Sequence, residues 1–208
     1  MVFASKKTLR ASEQEREDIA EHRKKWTEFQ RVTPAEHLVF LDESSAKTNM
    51  TRLRGRSLRG SRCHASAPCG HWKTLTMLSS IRLDGGTECI VVDGAMDKRM
   101  FFEYIVQILC PTLRPNDIVV MDNLSAHKNP EVASHIRRCG AELVYLPPYS
   151  PDLNPIENMW SKVKQLLRGM EMRAYESLEK GIARAFDMVD ASDAQGWFKN
   201  CGYKLFQV

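Results

Sequence analysis

Apolar positions along this chain change period several times, and each change marks a new element. Up to about Arg31 the residues are largely polar, with Ile19, Trp26 and Phe29 as a thin apolar stripe at helical spacing. Ser12 and Glu15 fit a capping box at the start of this helix, and Pro34 ends it. Such a narrow stripe needs a partner surface, so this segment is expected to be an arm or linker. From His37 the run HLVFLDES reads as a buried strand closing in acids. A second strand spans Trp72 to Leu83, and Asp84-Gly85-Gly86 turns it into a third, Glu88 to Val92, making a hairpin. Met100, Phe101, Tyr104, Ile105, Ile108 and Leu109 follow helical spacing, with Pro111 as the stop.

The second half alternates more regularly. Ile118 to Asn123 is a strand by its apolar run, Asn129-Pro130 opens a helix that Gly140 closes, and Glu142 to Leu146 is the next strand. Prolines 147, 148, 151 and 155 exclude a ladder and require an extended connection. Asn154-Pro155 then starts a helix that turns Ile156, Met159, Trp160, Val163, Leu166 and Leu167 inward. A last helix carries Leu178, Ile182, Phe186 and Val189. The order predicts a mixed α/β domain over residues 35–208, preceded by an arm over residues 1–34. Its helices can cover both faces of the sheet.

Composition narrows the class. The 208 residues are 43% hydrophobic and 27% charged, and no apolar run is long enough to span a bilayer. Met1 to Arg10 carries no apolar stretch of the secretory kind, so a cytoplasmic protein with reduced thiols is expected despite six cysteines. The net charge of +4 is mild, but Arg52, Arg54, Arg56, Arg59 and Arg62 crowd one glycine-containing stretch. That stretch is either a solvated loop or a phosphate-contacting surface. Cys63-His64 with Cys69 and His71 lacks the regular spacing of a zinc site. Trp160 and Trp197-Phe198 read as core anchors rather than base-stacking platforms.

In α/β sheets, sites gather at strand C-terminal ends. Asp42 and Asp122 are expected there, and Glu157 in the first turn of the helix after the proline segment. Oxygen ligands from two or three separate elements suffice for a hard divalent cation. Each acid also has a plainer reading. Asp42 could be a turn residue with Glu43 as the ligand, Asp122 could open a turn, and Asn154-x-x-Glu157 fits a helix cap.

The segments FLDES, VVMDNLSAHK and LPPYSPDLNPIENMW resemble the DDE transposases of the mariner-like superfamily, especially its bacterial insertion-sequence branch. The resemblance runs from about Leu9 to Tyr203, and 34 residues separate Asp122 from Glu157, as in that branch. It implies an RNase H-like fold, a central mixed β-sheet flanked by α-helices. It also implies metal-dependent DNA cleavage and strand transfer, with Asp42, Asp122 and Glu157 holding two Mg2+ ions for which Mn2+ can substitute. Asn123 and His127 become supporting residues, and the arginine stretch gains weight as a DNA contact. The partners implied are double-stranded element ends and target DNA, bound by a homodimer or higher assembly, in a bacterial protein associated with the nucleoid. Members of the family carry N-terminal helix-turn-helix modules, and none is readable before Leu9. The runner-up reading is therefore a catalytically incompetent fragment that regulates a full-length transposase.

Overall fold

The computed structural model describes residues 11–52, 54–123 and 129–205. A five-stranded sheet runs through it in the order β3-β2-β1-β4-β5, with β1 Leu38–Lys47, β2 Thr74–Arg82, β3 Cys89–Asp93, β4 Ile118–Met121 and β5 Glu142–Tyr145. β1, β2 and β3 form an antiparallel meander, and β4 and β5 join β1 in parallel. The sheet is mixed, as expected. Six α-helices are present among the described residues: α1 Glu17–Val32, α2 Lys98–Tyr104, α3 Pro130–Arg138, α4 Pro155–Met170, α5 Tyr175–Asp187 and α6 Ala191–Asn200.

Strand alternation divides the core in two. Leu38 and Phe40 on β1 and Val120 on β4 face a large cluster completed by α1, α4, α5 and α6. Val39, Leu41, Val119 and Met121 point the other way, toward α2 and α3. Phe40 meets Phe198 of α6 and Tyr203 edge-on, at ring separations of 5.4 and 5.3 Å. Such pairs contribute about 0.5–1.5 kcal/mol each beyond the area they bury, and they fasten the last helix to the central strand. No helix is long and apolar enough to cross a membrane among the described residues.

Several local expectations change. Ser12 and Glu15 lie in a 3-10 turn, Ser12–Glu15, and α1 begins beyond it without a side-chain cap. The thin stripe of α1 has its partner surface in the core itself, because Trp26 is buried and its indole N–H donates to the Tyr203 hydroxyl at 3.0 Å. After α2 the chain widens into a π turn, Ile105–Leu109, and then a 3-10 turn, Cys110–Thr112, that contains Pro111. The helix ending near Asp187 is not the last: α6 follows, and Val189 sits between the two. Gly85, at φ +86, lets the β2–β3 turn press against α6, where a Cβ would fall 2.7 Å from the Ala191 nitrogen.

Candidate active site

Asp42 does not end its strand; it is the fifth of the ten residues of β1. What ends near it is the parallel pairing, whose last partners are Phe40 and Val120. Extending that register by two residues sets Asp42 beside Asp122, which follows the last residue of β4. Both keep the face of Phe40 and Val120, the face covered by α4. Adjacent strands run about 4.8 Å apart, so the two carboxylates are close neighbours. Glu43 belongs to the opposite face and does not line the cleft with Asp42. The alternation thus decides between the two acids.

Glu157 comes from the first turn of α4. The helix-capping reading of Asn154 and Glu157 is not realised. Asn154 makes no side-chain cap bond, and its own N–H donates to Pro151. Asn154 is buried, with its side-chain oxygen unpartnered. The Glu157 carboxylate instead lines one cleft with Asp42, Asp122 and Asn123, of about 410 Å3, walled by the segment Leu146 to Pro151. A helix N-terminus is a favourable place for this negative charge.

The proline segment is strapped to α1 from outside. Arg23 donates to Ser150 Oγ at 2.6 Å and forks onto Asp152 at 3.0 and 2.6 Å. Gln14 donates to the Tyr149 carbonyl at 2.6 Å. Tyr149 holds φ +55, an uncommon state for a non-glycine residue. These bonds fix where the chain enters α4, and hence where Glu157 stands.

Electrostatics set the cleft apart. Burial, then the charge of Glu157 and then that of Asp122, push the Asp42 carboxyl up to about 7, against the pull of the Glu43 backbone and Trp160 hydrogen bonds. Trp160 Nε1 donates to Asp42 Oδ2 at 3.1 Å. Three residues after Glu157, Trp160 shares its side of α4, so one helical face both presents an acid and orients another. The core reading of Trp160 stands, since it is buried and packs edge-on to Phe186. Its bond to Asp42 was missed, although the interval from Glu157 was the available signal.

No Lys or Arg among the described residues lines this cleft. Among the described residues no three His, Cys, Asp or Glu side chains close into a ready metal cage, as expected of carboxylates that repel one another. The donor chemistry still fits a hard cation: oxygen ligands from three elements, concentrated negative charge and an open side.

Of the remaining expected residues, Asn123 lines the cleft and His127 lies outside the described residues. The arginine stretch belongs to the connection from β1 to β2, where Arg52, Arg54, Arg56, Arg59 and Arg62 are exposed and none lines the cleft. Thr48 and Lys73 close the neck of that connection by mutual hydrogen bonds of 3.1 Å, and Arg173 donates to the Met50 carbonyl at 2.6 Å. Arg52 reaches the end of α4, where a Cβ on Gly169 would fall 2.6 Å from its guanidinium. Cys63, His64, Cys69 and His71 are exposed and form no metal-binding group among the described residues.

Comparison with known proteins bears on the family and the fold. The profile of the family described as DDE superfamily endonuclease matches residues 37–179, more than half of the chain. The Tcb1 transposable-element transposase of Caenorhabditis briggsae is 33% identical over 81 residues, covering 37% of this chain and 30% of the relative. The chain therefore matches under a third of that relative's length. A Mos1 transposase paired-end complex with left transposon end superposes at a TM-score of 0.75 with 19% identity, covering 97% of this chain and 64% of that one. A Mos1 paired-end complex with Mg gives 0.72 with 17% identity, over 99% and 69%. The fold is that of the Mos1 catalytic core, RNase H-like.

Proposed function

The chain belongs to the DDE superfamily endonucleases, and on that premise we propose that it is the catalytic domain of a transposase that cuts DNA and transfers strands. The observation that carries this reading is the convergence of Asp42, Asp122 and Glu157, from three separate elements, on one cleft. Asp42, Asp122 and Glu157 would hold Mg2+ or, in its place, Mn2+. We propose two ions, with Asp42 contributing to both and Asp122 and Glu157 to one each. Divalent ions so bound supply charge neutralisation for an in-line displacement at phosphorus and lower the pKa of the attacking water.

The chain's own residues set the stage for that displacement. Trp160 holds the Asp42 carboxylate in one orientation through its indole N–H. The strapped proline segment holds Glu157 at the cleft, and its Leu146, Pro147 and Pro148 form one wall. In the first reaction a water oxygen bonds to phosphorus and the P–O3′ bond breaks, leaving a 3′-hydroxyl. In the second, that hydroxyl oxygen bonds to a target phosphorus and the target's P–O3′ bond breaks.

The Mos1 complexes with transposon ends support DNA as the partner. A homodimer or higher assembly on the DNA, contacts from Arg52, Arg54, Arg56, Arg59 and Arg62, supporting roles for Asn123 and His127, and a nucleoid location belong to the same proposal. So do the division into an arm, residues 1–34, and a catalytic unit, residues 35–208. The interval of 34 residues between Asp122 and Glu157 supports membership of the bacterial insertion-sequence branch. The test is nicking and joining of supercoiled plasmid with Mg2+ or Mn2+, wild type beside Asp122→Ala. Metal-dependent nicks absent from the variant, with joined products, support the proposal. A folded, metal-binding wild type that makes no cuts overturns it in favour of a regulatory fragment.

A further inference from the structure

A second concavity, of about 380 Å3, opens between α1 and the C-terminal ends of β4 and β5. Asn123, Leu146, Pro147 and Pro148 line both it and the acidic cleft, so the two are continuous. Its far wall is one face of α1: His22, Lys25, Trp26 and Phe29 recur at intervals of three and four. Phe29 is half-buried and presents an aromatic surface to the groove, backed by the buried Trp26 with rings 4.9 Å apart and tilted by 40°. Because the Trp26 indole N–H is engaged by Tyr203, the ring behind Phe29 is held in place. Tyr145 borders the groove from β5. His22 and Lys25 are exposed at the rim, and Lys25 makes a surface pair with Glu21 at 2.7 Å, an interaction that costs little to break.

Cations just outside the cleft can hold the backbone that flanks a reacting phosphate. Aromatic surfaces also accept unpaired bases of any sequence. We propose that this groove seats the unpaired nucleotides of the DNA strand that flank the phosphate reacting in the acidic cleft, with Lys25 and His22 on their phosphates. This rests on the function proposed above. It makes α1 a part of the substrate-binding surface, beyond its docking to the core.

Two measurements test it on the full chain. An oligothymidylate carrying 4-thiothymidine is photocrosslinked and the adducts are mapped by mass spectrometry. Adducts on the peptides carrying Phe29 or Tyr145 are expected; adducts confined to other surfaces overturn the proposal. Plasmid nicking with Mn2+ is then compared for Lys25→Glu and Lys24→Glu, which change the charge equally, although Lys24 lies off the groove face. Lys25→Glu is expected to raise KM about fivefold at unchanged kcat and to reduce the salt slope of binding by about one, with Lys24→Glu close to wild type. Equal effects of the two variants overturn it. Crosslinking at the groove by a wild type that never nicks would sink the catalytic reading and keep the groove.

Discussion

β4 is four residues long and carries an aspartate at each end, and the two live in opposite worlds. Asp117, just before the strand, is 1% exposed; it accepts from Arg82 at 2.6 Å and from the Arg114 N–H at 2.6 Å. Arg82 in turn donates to the Thr112 carbonyl at 2.9 Å. Asp122, just after the strand, looks into a cleft shared with Asp42 and Glu157, with no Lys or Arg among the described residues that line it. The first charge sits against a guanidinium, whereas the second stands in a group of acids on one cleft. A carboxylate whose counter-charge is built in is architecture. A carboxylate whose proton affinity is raised by burial and by the charges of two neighbouring acids is poised for a cation. Chemistry and stability are therefore separable here, pole by pole.

The sharpest way to break this contrast is at the acid pole. Asp122→Asn keeps the shape and removes a charge, so metal-dependent nicking should fall on the order of a thousandfold or more while the melting temperature changes little. Activity within tenfold of wild type would end the catalytic assignment. At the other pole, Asp117→Ala leaves Arg82 buried without its partner and should cost about 3–4 kcal/mol in denaturant unfolding. At low temperature the folded variant should still cut. Replacing both, Arg82→Met with Asp117→Leu, should recover much of the loss, because no uncompensated charge remains buried.

A smaller effect of opposite sign is expected from Asp42→Asn. Folded Asp42 holds its proton up to about pH 7, whereas an unfolded aspartate releases it near pH 4. Between those values the folded state binds more protons, so stability declines as pH rises through the window and stays reduced above it. In chelator at pH 8, Asp42→Asn should raise the melting temperature by about 2–4 °C, corresponding to about 1 kcal/mol. At pH 4 the gain should vanish. Mg2+ should stabilise wild type more at pH 8 than at pH 5; a response flat with pH would contradict the mutual repulsion of these acids. The finest test is Trp160→Phe, which keeps a ring in the core and removes the hydrogen bond to Asp42. A loss of about 1 kcal/mol in metal binding, with Asp42 titrating still higher, is expected.

Much of this molecule was legible along the chain because the signals are local. The apolar run before Asp42, the proline at the start of α4 and the Asn129 cap of α3 are each written within a few residues. They located all five strands and set Asp122 just past β4 and Glu157 in the first turn of α4, whereas Asp42, expected at a strand end, lies within β1. The helix α6 escaped because its apolar positions are few, Ala194 and Phe198 being its buried ones. Whether α1 stands apart or docks could not be read either, since Trp26 finds Tyr203 across 177 positions.

Sequence alone determined which residues carry charge, where elements begin, and that two acids follow apolar runs. Tertiary structure decided that Asp42 rather than Glu43 faces the cleft, because strand register and the side on which α4 packs select the face. It also decided that Asp117 is neutralised while Asp122 joins other acids. Arg82 arrives from 35 residues away, and Trp160 reaches Asp42 from 118. Local patterns arise from backbone period and steric preference, whereas the compensation of a buried charge depends on which distant groups the packed sheet brings beside it.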